Sequence, residues 1–163
     1  IYSFADQGFA PAAIFLDVAN AFPSTSHRVL LSKMRNLGFE ACVVQWLKSY
    51  LENRCDRVDV NGSSTTFSTP GVGVPQGSVF GPFLFNIYVN DLPNAVDNCR
   101  VIRYADDTVL IPKSGNNNTL AQVESIVESA LSWFSINRLH INIRKSTFMA
   151  YSNSETRINK LPH

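Results

Sequence analysis

The chain has 163 residues, 45% of them hydrophobic and 17% charged, which suits one globular domain with a real core and excludes a disordered segment. Fourteen Lys and Arg against thirteen Asp and Glu leave a net charge of +1, which argues against an autonomous, broadly basic nucleic-acid binder and permits a local basic face. Cys42, Cys55 and Cys99 are odd in number and have no paired spacing, so they suggest neither a disulfide framework nor a thiolate zinc site, and favour a reducing compartment. His27, His140 and His163 are too scattered to form a ligand pair. The longest apolar run, VFGPFLFNIYV, is too short to span a bilayer and carries Asn86, so no membrane partner is expected. The chain opens at Ile1 with no leader pattern and reads as an internal piece of a longer protein.

PAAIFLDV (11–18) predicts a strand buried on both faces and ending at Asp17. NAFPSTSH then supplies a proline and several hydroxyl residues, a loop leading to a helix cap near Ser24 to Ser26. Val29, Leu30, Leu31, Met34 and Leu37 recur at helical spacing until Gly38. A second amphipathic helix is predicted to carry Val43, Val44, Trp46, Leu47, Tyr50 and Leu51 on its inner side. CDRVDVNGSSTTFS (55–68) predicts a hairpin, since Val58 and Val60 alternate with charged residues and Asn61-Gly62 suits a type I′ turn. PGVGVPQG (70–77) is too rich in breakers for regular structure, and SVFGPFLFNIYVNDL (78–92) is predicted to turn helical after Pro82.

Residues 100–112 predict two strands bent back at Asp106 and Asp107, and SGNNN (114–118) a loop. Val123, Ile126, Val127, Ala130, Leu131 and Phe134 mark the clearest amphipathic helix. HINIRKSTFMAYS (140–152) alternates enough for one or two edge strands, with frayed residues after it. This order favours an α+β fold, an antiparallel sheet with helices packed on one face.

VIRYADDTVLIP (101–112) sets two aspartates side by side between apolar strands. Taken alone, such a pair is a solvated turn. A rigid hairpin can also project polar tips accurately, and Asp17 ends another buried strand able to lie beside it. Clustered carboxylates repel unless a cation or proton offsets them. Mg²⁺ takes a few carboxylates plus substrate phosphates, and two such ions roughly 3.5–4 Å apart can clamp the attacking and leaving oxygens of phosphoryl transfer. In GVPQGSVFGP (73–82), Gln76 offers donors and acceptors and Gly77 permits close backbone approach, so this loop could floor a nucleotide pocket. Lys145, read alone, is a surface charge.

Four segments in order, FLDVANAFPSTSHRVLLSKM, GVPQGSVFGPFLFNIYVNDLP, YADD and WFSINRLHINIRKSTFMAYS, resemble the reverse transcriptases of non-LTR (LINE-type) retrotransposons across nearly the whole chain. The resemblance implies a polymerase palm over residues 1–163 that adds dNTPs to a DNA primer on an RNA template. It implies two Mg²⁺ ions, with Mn²⁺ as a substitute, held by Asp17, Val18, Asp106 and Asp107. Val18, Asn20 and Ala21 would approach the triphosphate, and Phe22 would screen the sugar against a 2′-hydroxyl. Gln76, Gly77 and Ser78 would position nucleotide and template, Tyr104 the primer end, and Lys145 would meet the pyrophosphate's charge or protonate it.

Pro23, Asn20 and Phe80 depart from a frequent aspartate, lysine and leucine; Pro23 bears on the loop beneath the triphosphate. Fingers, thumb and endonuclease elements are expected outside these residues, and the nucleus or cytoplasm of a eukaryotic host is the expected location. Two other readings stand beside this one. The first is an RNA-directed RNA polymerase palm, against which Phe22 argues. The second is a non-catalytic remnant acting as a scaffold, against which the retained carboxylates argue.

Overall fold

The computed structural model describes residues 12–68, 71–75, 77–113, 120–151 and 156–160. In chain order the elements are β1 (Ala12–Ala19), α1 (Ala21–Ser24), α2 (His27–Asn36), α3 (Ala41–Leu51), β2 (Cys55–Val60) and β3 (Ser63–Ser68). There follow α4 (Phe80–Tyr88), α5 (Leu92–Ala95), β4 (Cys99–Tyr104), β5 (Asp107–Pro112), α6 (Leu120–Ile136), β6 (His140–Ile141), β7 (Thr147–Tyr151) and β8 (Thr156–Lys160). The contacts fall into two compact units, one of residues up to Ala21 with those from Asn90 onward, the other Phe22–Val89.

The first unit is built on an antiparallel sheet ordered β4-β5-β1-β7-β8, with β6 pairing β1 as well. The central place of β1 explains its composition: Ile14 and Leu16 are fully buried, and the small Ala12 and Ala13 are buried with them. Because β8 pairs with β7 along Thr147↔Lys160 to Tyr151↔Thr156, β7 is an interior strand rather than the expected edge strand. Alternation in a sequence reports a pleat, not how many partners the strand has.

Helix α6 packs on α5 and β6 with Val123, Ile126, Ala130, Trp133 and Phe134 buried, while Leu131 sits on its outer side. Asn137 donates its side-chain amide to the Trp133 carbonyl at 2.8 Å, and Arg138 takes a left-handed φ of 57°, which together stop the helix.

In the second unit, α2 packs against both α3 and α4. Leu30, Met34, Val44, Leu47, Leu51, Leu84, Phe85 and Tyr88 are buried, each large apolar side chain contributing about 1.5–3 kcal/mol by burial. Lys33 Nζ donates to the Tyr88 carbonyl at 2.7 Å and lies over the Tyr88 ring, tying α2 to the carbonyl end of α4. Val43 and Trp46, expected inside, are exposed. Trp46 instead stacks on Tyr50 and meets Phe80, so the aromatics form a surface cluster of their own.

Between Asn20 and Ser26, where a loop was expected, α1 makes one helical turn, and Ser26 precedes α2 without a side-chain capping bond. Helix α4 begins at Phe80, with Pro82 in its first turn, where the missing N–H would have had no helical partner. The β2–β3 hairpin closes Val60↔Ser63 through Asn61 and Gly62 with φ of 49° and 81°, the two left-handed residues a type I′ turn requires. Among the described residues no helix is long and apolar enough to cross a membrane.

Candidate active site

Strand β1 meets β5 with Asp17 directly opposite Asp107, and β4 meets β5 with Tyr104 directly opposite Asp107. Directly paired residues of antiparallel strands project to the same face, with Cβ atoms about 4.5–5.5 Å apart. Tyr104, Asp107 and Asp17 therefore form one row across three strands. That face is the open one: Asp17 is half-buried, Asp107 exposed and Tyr104 84% exposed, whereas the alternate positions Leu16, Thr108 and Leu110 are buried.

Asp106 occupies the two-residue bend between β4 and β5, half-buried, immediately before Asp107. Ala105, the first residue of that bend, has a φ of 52°, a conformation costing an alanine about 1–2 kcal/mol. The bend thus holds strain where Asp106 is presented.

Like charges placed directly opposite across strands destabilise a sheet. The nearest cation on β4, Arg103, cannot relieve them, because it pairs with buried Thr108 and belongs to the other face. Its Nη1 is buried without a hydrogen-bond partner; burial pulls the Arg103 pKa down, and the Asp91 charge opposes that shift. Among the described residues no group of three or more His, Cys, Asp or Glu is arranged to hold a metal ion. The donor set is therefore no all-protein cage. Paired carboxylates open to solvent do fit a hard cation that draws its remaining ligands from water and substrate phosphates.

The backbone of Asp17 is held from its other side by residues 142–146. Its N–H donates to Ser146 Oγ at 3.1 Å, and its carbonyl accepts from Asn142 N–H at 2.8 Å. Ser146 is fully buried and donates its own hydroxyl to the Asn142 carbonyl at 2.9 Å, which also accepts from the Lys145 and Ser146 amides. Lys145 is exposed within this turn. Ser146 escaped the sequence reading, because a serine between Lys145 and a strand carries no periodic signal.

Val18 is buried, Asn20 exposed with a φ of 49°, and Ala21 buried at the start of α1. Phe22, Gly77 and Ser78 belong to the other unit, and Gln76 lies outside the described residues. The half-buried Phe22 ring leans on Phe85 at 5.1 Å. Residues 71–74 run beside 22–27: Val74 N–H donates to the Phe22 carbonyl, Gly73 N–H to the Thr25 carbonyl, and His27 Nε2 lies 2.7 Å from the Gly73 carbonyl. Gly73 has a φ of 85°, and a Cβ there would come within 3.3 Å of the Pro23 carbonyl oxygen.

Ser78 donates its hydroxyl to the Pro75 carbonyl at 2.8 Å and accepts from Gly81 N–H at 2.9 Å, so that hydroxyl shapes the entry to α4. Gly77 has a φ of 77° and open space around it. A cleft of about 680 Å³ between α2 and α3 includes Arg28, Arg35 and Lys48 in its lining and none of the candidate residues.

A family model described as reverse transcriptase (RNA-dependent DNA polymerase) matches residues 3–159. The chain is 31% identical over 149 residues to the "RNA-directed DNA polymerase from mobile element jockey" of Drosophila melanogaster, covering 85% of this chain and 16% of that protein. It is 34% identical over 142 residues to the "Probable RNA-directed DNA polymerase from transposon BS" of the same organism, covering 82% and 16%. Among solved structures, a telomerase from Candida tropicalis with a telomeric RNA fragment matches with a TM-score of 0.66 and 13% identity, over 90% of this chain and 27% of that one. At that identity the likeness concerns the fold alone.

Proposed function

Because the chain belongs to the reverse transcriptase family, we propose that it supplies the palm of an RNA-directed DNA polymerase from a non-LTR retrotransposon, adding deoxynucleotides to a primer 3′-hydroxyl on an RNA template. Support comes from similarity to polymerases of mobile elements, of which it spans 16% of the length. The observation that carries the site is the register setting Asp17 against Asp107 on the open face, beside the bend with Asp106.

Asp17, Asp107 and Asp106, with Val18, would hold Mg²⁺ or Mn²⁺, which when bound neutralises charge developing on the attacking and leaving oxygens. Tyr104, next in the row, would support the primer end. Lys145, on the turn bonded to the Asp17 peptide, would meet the charge of the departing pyrophosphate. Val18, Asn20 and Ala21, where β1 passes into α1, would approach the triphosphate. Gln76 and Gly77 would position nucleotide and template. Ser78 would act through its bonds to Pro75 and Gly81 rather than as a free hydroxyl. Template, primer and deoxynucleotides are thus its partners, inside a eukaryotic cell.

In the full-length protein, Asp17→Ala or Asp106→Asn should abolish Mg²⁺-dependent extension of a DNA primer annealed to RNA. Extension at the unmodified rate by either variant would exclude the assigned roles.

A further inference from the structure

We infer that Ser146 is a positioning residue for Asp17, and that the turn 142–146 fixes Asp17 and Lys145 to one another as a single hydrogen-bonded unit; this rests on the function proposed above. Along β1, the pairing with β7 ends at Phe15↔Thr147 and the pairing with β6 begins at Val18↔Ile141. Asp17 falls in that gap, where no strand residue faces it on this side. Left there, a peptide group would tilt freely or take water, and its carboxylate would tilt with it.

Ser146 Oγ fills the gap for the Asp17 N–H, and Asn142 N–H fills it for the Asp17 carbonyl. The serine is itself fixed, fully buried and donating to the Asn142 carbonyl, so it cannot swing away to another acceptor. The same carbonyl receives the Lys145 amide at 3.1 Å. Displacing the serine therefore displaces the peptide that presents the Asp17 carboxylate and the turn that presents the Lys145 ammonium. A shift of about 1 Å in a reacting group suffices to slow chemistry strongly.

The test uses Ser146→Ala and Ser146→Thr in the full-length polymerase, with Asp17→Ala alongside. Ser146→Ala should lower kcat about tenfold with KM for deoxynucleotides little changed, and raise the Mg²⁺ concentration for half-activity several-fold. Hydrogen exchange gives a readout independent of turnover: the Asp17 amide should exchange faster in Ser146→Ala while the Ile14 and Leu16 amides keep their protection. Ser146→Thr, which keeps the hydroxyl, should restore most of both properties.

Wild-type kcat, Mg²⁺ dependence and Asp17 exchange in Ser146→Ala, with Asp17→Ala inactive, would overturn the positioning role and leave the polymerase reading intact. So would faster exchange across the whole sheet, which signifies general destabilisation. Extension by Asp17→Ala at the unmodified rate would instead remove the role assigned to Asp17, and absence of primer extension by the unmodified full-length protein would overturn the polymerase reading.

Discussion

Phe22 and Asp17 are five positions apart, yet the chain secures them by different means. Asp17 is set by strand pairing and by Ser146, whereas the Phe22 ring is set by Phe85 and its backbone by Val74. A ring braced on one side can act as a fixed wall, which is what exclusion of a 2′-hydroxyl requires. On the function proposed above, Phe22→Ala in the full-length protein should therefore relax discrimination against ribonucleotides by about tenfold or more, measured as the ratio of kcat/KM for matched dNTP and rNTP. An unchanged ratio would remove Phe22 from sugar selection. The identity of Phe22 was legible because its interval from an aspartate matches a motif. Its brace was not, because Phe85 is 63 positions away and looks like any other apolar residue of a buried helix.

The entry to α4 shows how an element can depend on one missing carbon atom. Gly81 is buried in its first turn, and a Cβ there would stand 2.5 Å from the Pro75 carbonyl oxygen, a backbone atom with little freedom to retreat. In an exposed helix, replacing glycine by alanine gains about 1 kcal/mol. Here the collision reverses the sign, and Gly81→Ala should destabilise by about 1–3 kcal/mol, seen as a lower Tm in thermal unfolding. A raised Tm would mean that the loop 71–75 can move off the helix. Composition identified residues 70–77 as irregular, but gave no sign that this irregularity lets the chain pass so close to α4. Helix α3 is the complementary case. Its period was legible, but Val43 and Trp46 fell on the wrong side because apolar character does not tell a core face from an aromatic surface cluster.

For the whole molecule, cysteine chemistry offers a simple check on both units. Cys42 and Cys55 are exposed in the unit Phe22–Val89, whereas Cys99 is buried in the sheet, and burial pushes its thiol pKa up. Alkylation of the native protein at neutral pH, followed by mass spectrometry, should label Cys42 and Cys55 rapidly and Cys99 only under denaturing conditions. Equal rates at all three would contradict the placement of β4. A thiol whose folded pKa is raised stabilises the fold below its ordinary value and loses that contribution as pH rises through the folded value. Stability should accordingly decline on the alkaline side, and Cys99→Ala should reduce that decline. The amino-acid sequence determined by itself where β1, α2, α6 and the β4–β5 hairpin form, since periodicity, turn chemistry and apolar runs are local properties of a chain. It also determined which carboxylates were candidates, because motif intervals survive along one dimension. Only the tertiary structure decided that Asp17 faces Asp107 across a ladder, that β7 lies inside the sheet, and that Ser146 bonds to the Asp17 amide 129 positions away. Strand register and long-range hydrogen bonds are set by the pairing of distant segments, and no local pattern encodes which partner a strand will find.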